Sequence, residues 1–100
     1  MKPQYEKALE FGEITLRPGA RYRVILEFRD VDGKPHCLGE EWIFLGYDFF
    51  PYDAGYTLFV LSTVGAESVI RMQDHPQEQE HILKSFHQYV ALSSVTQALQ

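Results

Sequence analysis

The stretch WIFLGYDFFPYDAGYTLF, Trp42 to Phe59, holds eight of the chain's fourteen aromatic residues in eighteen positions. They are Trp42, Phe44, Tyr47, Phe49, Phe50, Tyr52, Tyr56 and Phe59, interrupted by Gly46, Pro51, Asp53 and Gly55. Rings at this density are core material first, because each carries a large apolar area. From Cys37 through Trp42, Ile43, Phe44, Leu45 and Tyr47 the chain is apolar on both faces, the pattern of a strand covered on both sides. Gly39 and Gly46 bracket it as bends or bulges. Pro51 cannot continue a central strand, so Asp48 to Tyr56 reads as a loop rich in rings, with Tyr56 to Leu61 as the next strand.

The same patterns extend outward. Ile14 and Leu16 alternate with polar neighbours, and Pro18-Gly19 matches a type II turn, where glycine supplies the positive φ. Tyr22, Val24, Leu26 and Phe28 then alternate with Arg23, Glu27 and Arg29, predicting a half-buried strand. Asp30 to Lys34 has the chemistry of a hairpin loop. Ser62 to Ala66 turns around Gly65, and Ser68 to Gln73 is a fourth strand with Ile70 and Met72 facing inward. Tyr5, Ala8 and Leu9 have the spacing of a short helix stopped by Gly12, within an N-terminal segment 1–13. Asp74, His75 and Pro76 open a helix over 74–92, whose stripe is Ile82, Leu83, Phe86, Tyr89 and Val90. A tail, 93–100, follows.

One hundred residues, 45% apolar and 23% charged, make a single domain, 1–100, of ordinary globular composition. The expected class is mainly β (α+β): a small SH3-like, partly open antiparallel barrel or a curled sheet, with strands over 14–73 and a C-terminal amphipathic helix. The formal charge of −5 and pI near 5.2 argue against nucleic acid and anionic membrane as partners. No signal peptide or spanning segment is expected, and Cys37, the single cysteine, fits a reducing, cytoplasmic setting.

The run from Leu16 to Val60 carries LxPG, YxV, FxDxDGxxH, GExWxFLGYxFxPYDxG and LFV in that order. It resembles the signature of a family of short bacterial domains of unknown function. That resemblance implies no activity, ligand or catalytic residue.

The residues themselves offer little reactive chemistry. His36 and Cys37 are neighbours, and neighbours in extended chain point to opposite faces, so a loop histidine beside a buried thiol is preferred to a nucleophile and base. The four histidines have no metal-ligand spacing and read as exposed polar residues. Asp30, Asp32 and Gly33 lack the register of a calcium loop. The expectation is therefore no catalytic residue, no metal and no cofactor.

What remains is a surface. Glu40, Trp42, Asp48, Phe49, Phe50, Tyr52, Asp53 and Tyr56 form the candidate binding set for a protein or peptide partner, rimmed by acids. An acidic neutralising partner for a basic toxin or enzyme is one version. Competing readings are rings that plug the barrel, a homodimer through the same rings, and a small-molecule-binding or hydrolytic site built from Glu40, Asp48, Asp53 and His36.

Overall fold

Residues 41–62 form a long antiparallel hairpin around which everything else is arranged. In the computed structural model, which describes residues 7–93, the strands are β1 (Leu9–Phe11), β2 (Ile14–Leu16), β3 (Arg21–Val24), β4 (Phe28–Arg29), β5 (Pro35–His36), β6 (Glu41–Phe50), β7 (Gly55–Ser62), β8 (Glu67–Gln73) and β9 (Val90–Leu92). A short helix, α1 (Glu80–Lys84), and a 3-10 turn at Phe86–Gln88 lie between β8 and β9. Five strands make one antiparallel sheet in the order β8-β7-β6-β3-β9, while β1-β2 and β4-β5 are separate hairpins. The sheet has two free ends and does not close. The expected barrel gives way to its alternative, a curled sheet in a mainly β, α+β fold.

One extra residue in β6 decides which rings are covered. Pairing runs Phe44 to Val60 and then Gly46 to Phe59, so a bulge at Leu45–Gly46 shifts the alternation by one. Trp42 and Phe44 precede it on the covered face, and Tyr47 and Phe49 follow on that same face, opposite Leu58 and Tyr56. Asp48 and Phe50 are thereby turned to the other face. Without the bulge Asp48 would point into the core.

The covered face is closed by β1-β2, Phe28, α1 and the 3-10 turn. Leu9, Phe11, Leu16, Phe28, Ile82, Leu83 and Phe86 pack there against Tyr22, Phe44, Leu58, Ile70 and Met72. Edge-on ring contacts tie the layers: Phe11 meets Tyr56 at 4.9 Å and Phe86 at 5.3 Å, and Phe28 meets Phe86 at 5.7 Å. Each such ring contributes about 1.5–3 kcal/mol by burial.

Several expected elements differ from those observed. The strand expected from near Cys37 begins only at Glu41, and the loop expected over Asp48 to Tyr56 shrinks to Pro51–Ala54, because pairing carries β6 on through Phe50 and starts β7 at Gly55. Leu9–Phe11 is a strand, with Leu9 opposite Leu16, and Gly12 at φ +56° makes the turn instead of ending a helix. Tyr5, the start of the expected helix, lies outside the described residues, as does 94–100 of the expected tail. The strand expected over Tyr22 to Phe28 stops at Val24, where Ile25 and Leu26 both donate backbone N–H bonds to Tyr89 O. Leu26 is consequently exposed, not inward.

The expected helix over 74–92 is mostly something else. Asp74 does not cap it; Gln79 stands at its N-terminus, and its side-chain oxygen accepts the Gln73 N–H. Ser85 N–H bonds Ile82 O, a three-residue step that tightens the last turn. Val90–Leu92 then pairs with β3, because that strand's outer edge has backbone groups to satisfy. Among the described residues no helix is long and apolar enough to cross a membrane.

Candidate functional site

The β6-β7 hairpin ends in the turn Pro51 to Ala54, which is fastened from two sides. Asp53 Oδ1 accepts the Gly55 N–H at 3.1 Å, and Ala54 holds φ +53°. From the start of the α1 connection, Gln73 Nε2 donates to Asp53 O at 2.9 Å and Asp74 N–H donates to Ala54 O at 2.9 Å. The tip is thus a held structure that presents rings. Phe49 is 43%, Phe50 54% and Tyr52 101% exposed. Tyr56 divides the set, since its ring sits against Phe11 and Phe49, the latter at 4.7 Å. Its hydroxyl is held above its ordinary pKa by burial, then by the charge of Asp74 and by Tyr47. Tyr56 plugs the end of the core while Phe50 and Tyr52 stand outside.

Beside Phe50, on the face opposite the core, lies a cleft of about 320 Å³. Register explains it. Phe50, Gly55 and Gln73 occupy one row across β6, β7 and β8, and Asp48, Thr57 and Arg71 the next. Gly55 carries no side chain, so a gap opens between Phe50 and Gln73, and a Cβ there would lie 2.8 Å from Asp53 Oδ1. The far wall is the β4-β5 loop, docked by Val31 N–H on Arg71 O at 2.8 Å. Asp32 receives Arg71 through two bonds, Nη2 to Oδ1 at 2.8 Å and Nε to Oδ2 at 3.0 Å. That hydrogen bonding, with the charge of Asp32, raises the Arg71 pKa.

A second polar cluster sits elsewhere. His36 is 2% exposed, with Nε2 2.9 Å from Asp30 Oδ2 and Nδ1 2.7 Å from Glu40 Oε2. Each ring nitrogen thus faces a carboxylate oxygen, and the ring stacks on Phe28 at 4.9 Å. Asp30 Oδ1 also accepts the N–H groups of Asp32 and Lys34, each at 3.0 Å. One carboxylate therefore builds the loop and anchors the imidazole. The expected exposures are reversed at this point: His36 is buried and Cys37 is exposed. The reason is that Pro35–His36 is a paired strand whose alternate residue faces in, opposite Phe28.

The structure separates the candidate residues into groups. Trp42 belongs to the core, 2% exposed, and has no place on a contact surface. Glu40 binds His36 at the beginning of β6, while Asp48 lies near its other end, about 25 Å along the strand at about 3.3 Å per residue. Glu40 and His36 thus cannot converge with Asp48 and Asp53 on one bond. Phe49, Phe50, Tyr52, Asp53 and, below them, Tyr56 and Asp48 do share the hairpin end. Sequence reasoning did not place Asp32, Thr57, Arg71 and Gln73 in this site: Asp32 read as hairpin-loop chemistry, and Arg71 only as an outward residue of the fourth strand. Among the described residues no group of three or more histidines, cysteines or carboxylates is arranged to hold a metal.

A profile for a domain of unknown function, DUF3601, matches residues 2–94. The chain belongs to the DUF3601 family. The motif-bearing run from Leu16 to Val60 lies inside this match. An integron cassette protein from the mobile metagenome of Vibrio cholerae, of known structure, is similar to this DUF3601 domain: 31% identical, with a TM-score of 0.74 over 78% of this chain and 86% of that one. No curated protein matches the sequence.

Proposed function

We propose that this DUF3601 domain is a noncatalytic binding module that engages a protein or peptide through the tip of the β6-β7 hairpin. The observation that supports this reading is the exposure of Phe49, Phe50 and Tyr52 on a turn fastened by Asp53, Gln73 and Asp74. Apolar rings held in water are unfavourable for the free protein, and pre-positioned aromatics lose little entropy on docking, the properties of interface anchors. The net charge of −5 favours a basic partner by speeding encounter.

The test compares affinity capture from lysate of the source organism by the intact domain and by a Phe50→Ser, Tyr52→Ser double variant shown by circular dichroism to be folded. The variant is expected to lose the proteins that the intact domain retains. Identical captured sets would show that the tip is not the contact surface.

A further inference from the structure

We propose that the cleft beside Phe50 receives a guanidinium-bearing side chain of the partner, stacked on the Phe50 ring and paired with the Asp53 carboxylate. This deepens the binding reading above and rests on it. The argument begins with charge. The cleft's own cation, Arg71, is already forked onto Asp32, so it offers no unmatched positive charge to an anion. Asp53 bonds within the turn through Oδ1 only, and among the described residues Oδ2 has no hydrogen-bond partner. Asp48, one row away beside Thr57, adds another carboxylate on the same face. Two carboxylates, Asp32 and Asp53, line the cleft against one guanidinium, and Asp48 stands outside it on the same face, so the site is left acidic.

Shape narrows the occupant further. A volume of about 320 Å³ is at the small end of ligand sites, which span about 300–1,000 Å³, and suits one side chain better than a cofactor. One wall is the half-exposed Phe50 ring, and the floor is open because Gly55 has no side chain. A planar cation can lie flat on such a ring while its edge forks to a carboxylate, which a compact ammonium does less well. Ring, carboxylate and gap lie on one rigid hairpin end, so the site exists before the partner arrives.

The experiment titrates the ¹⁵N-labelled full chain with N-acetyl-arginine amide and follows backbone amide shifts. Saturable shifts are expected at Gly55, Thr57 and Gln73, with a dissociation constant on the order of millimolar for a ligand this small. N-acetyl-citrulline amide, neutral and nearly isosteric, should leave those amides in place. Asp53→Asn keeps an oxygen for the Gly55 N–H and should weaken arginine amide by about threefold to fivefold. Equal response to citrulline and arginine, stronger shifts of the same amides with inorganic phosphate, or shifts confined to other regions would each overturn the assignment. Capture that depends on Phe50 and Tyr52 together with no arginine response would sink the cleft's role alone. Capture indifferent to those rings would sink the binding reading.

Discussion

Replacing His36 with leucine should destabilise the domain far more than any change at the hairpin tip. The imidazole is 2% exposed, and so is the side chain of Asp30, while that of Glu40 is 32% exposed. Leucine keeps the volume against Phe28 but removes the partner of a buried carboxylate. Leaving one member of a buried pair uncompensated costs about 3–5 kcal/mol. The lower part of that range applies, because Asp30 retains the Asp32 and Lys34 N–H groups on its other oxygen. Glu40 can turn to water, so Glu40→Gln should cost no more than about 1 kcal/mol. A loss of about 3–4 kcal/mol lowers the Tm of a domain this size by about 15–25 °C. Urea denaturation gives the free energies, and unchanged m-values would show that the states compared are the same. Adding Asp30→Asn to the leucine variant removes the stranded charge while keeping an oxygen for the loop amides, and should restore about 1–2 kcal/mol. A leucine variant within about 1 kcal/mol of wild type, or an asparagine that restores nothing, would refute the account of this cluster.

Other expectations follow from single positions. At Gly12, with φ +56°, an alanine Cβ would lie 2.5 Å from Lys84 O, so Gly12→Ala should cost about 2–4 kcal/mol; Gly33→Ala, at φ +80° with no neighbour within 4 Å, should cost only about 1 kcal/mol. Both are measurable by the same denaturation curves. Tyr56 keeps its proton in the folded state after the unfolded state begins to lose it, so its contribution is complete below the ordinary value of 10.0 and falls as pH rises through the raised folded value. Tyr56→Phe should therefore flatten the decline of stability above about pH 10. Phe50→Ser and Tyr52→Ser should each change stability by no more than about 0.5 kcal/mol, since neither ring is in the core. Trp42, the single tryptophan, reports on this: its emission should be that of a buried indole in wild type and in both serine variants, and move to longer wavelength only on unfolding.

Strands with period-two alternation and strong turn residues were legible before any coordinates. Ile70 and Met72 face inward as the pattern of β8 requires, Gly46 lies at a bulge, and Asp30 to Lys34 turns a hairpin. Each depends on neighbours in the chain, where backbone preference and side-chain direction are set locally. The hairpin end could be named as a candidate surface because Pro51, Asp53 and Gly55 mark a connection rich in rings, while the pattern left open whether those rings stand exposed or plug the core. Its cleft was not legible. It arises where the β4-β5 loop meets β8 and where one glycine falls between Phe50 and Gln73 in register, relations between residues far apart in sequence.

The amino-acid order alone determined a β-rich domain, a break between strands around Pro51 and the acidic charge, because these depend on composition and on contacts a few residues apart. Tertiary structure decided the rest. The apolar residues around Val90 suit helix or strand equally, and it was the outer edge of β3, with unpaired amides, that made a strand of them. His36 is likewise buried because Asp30 and Glu40, six and four residues away, fold to meet its two nitrogens, a satisfaction of polar groups that only three-dimensional proximity provides.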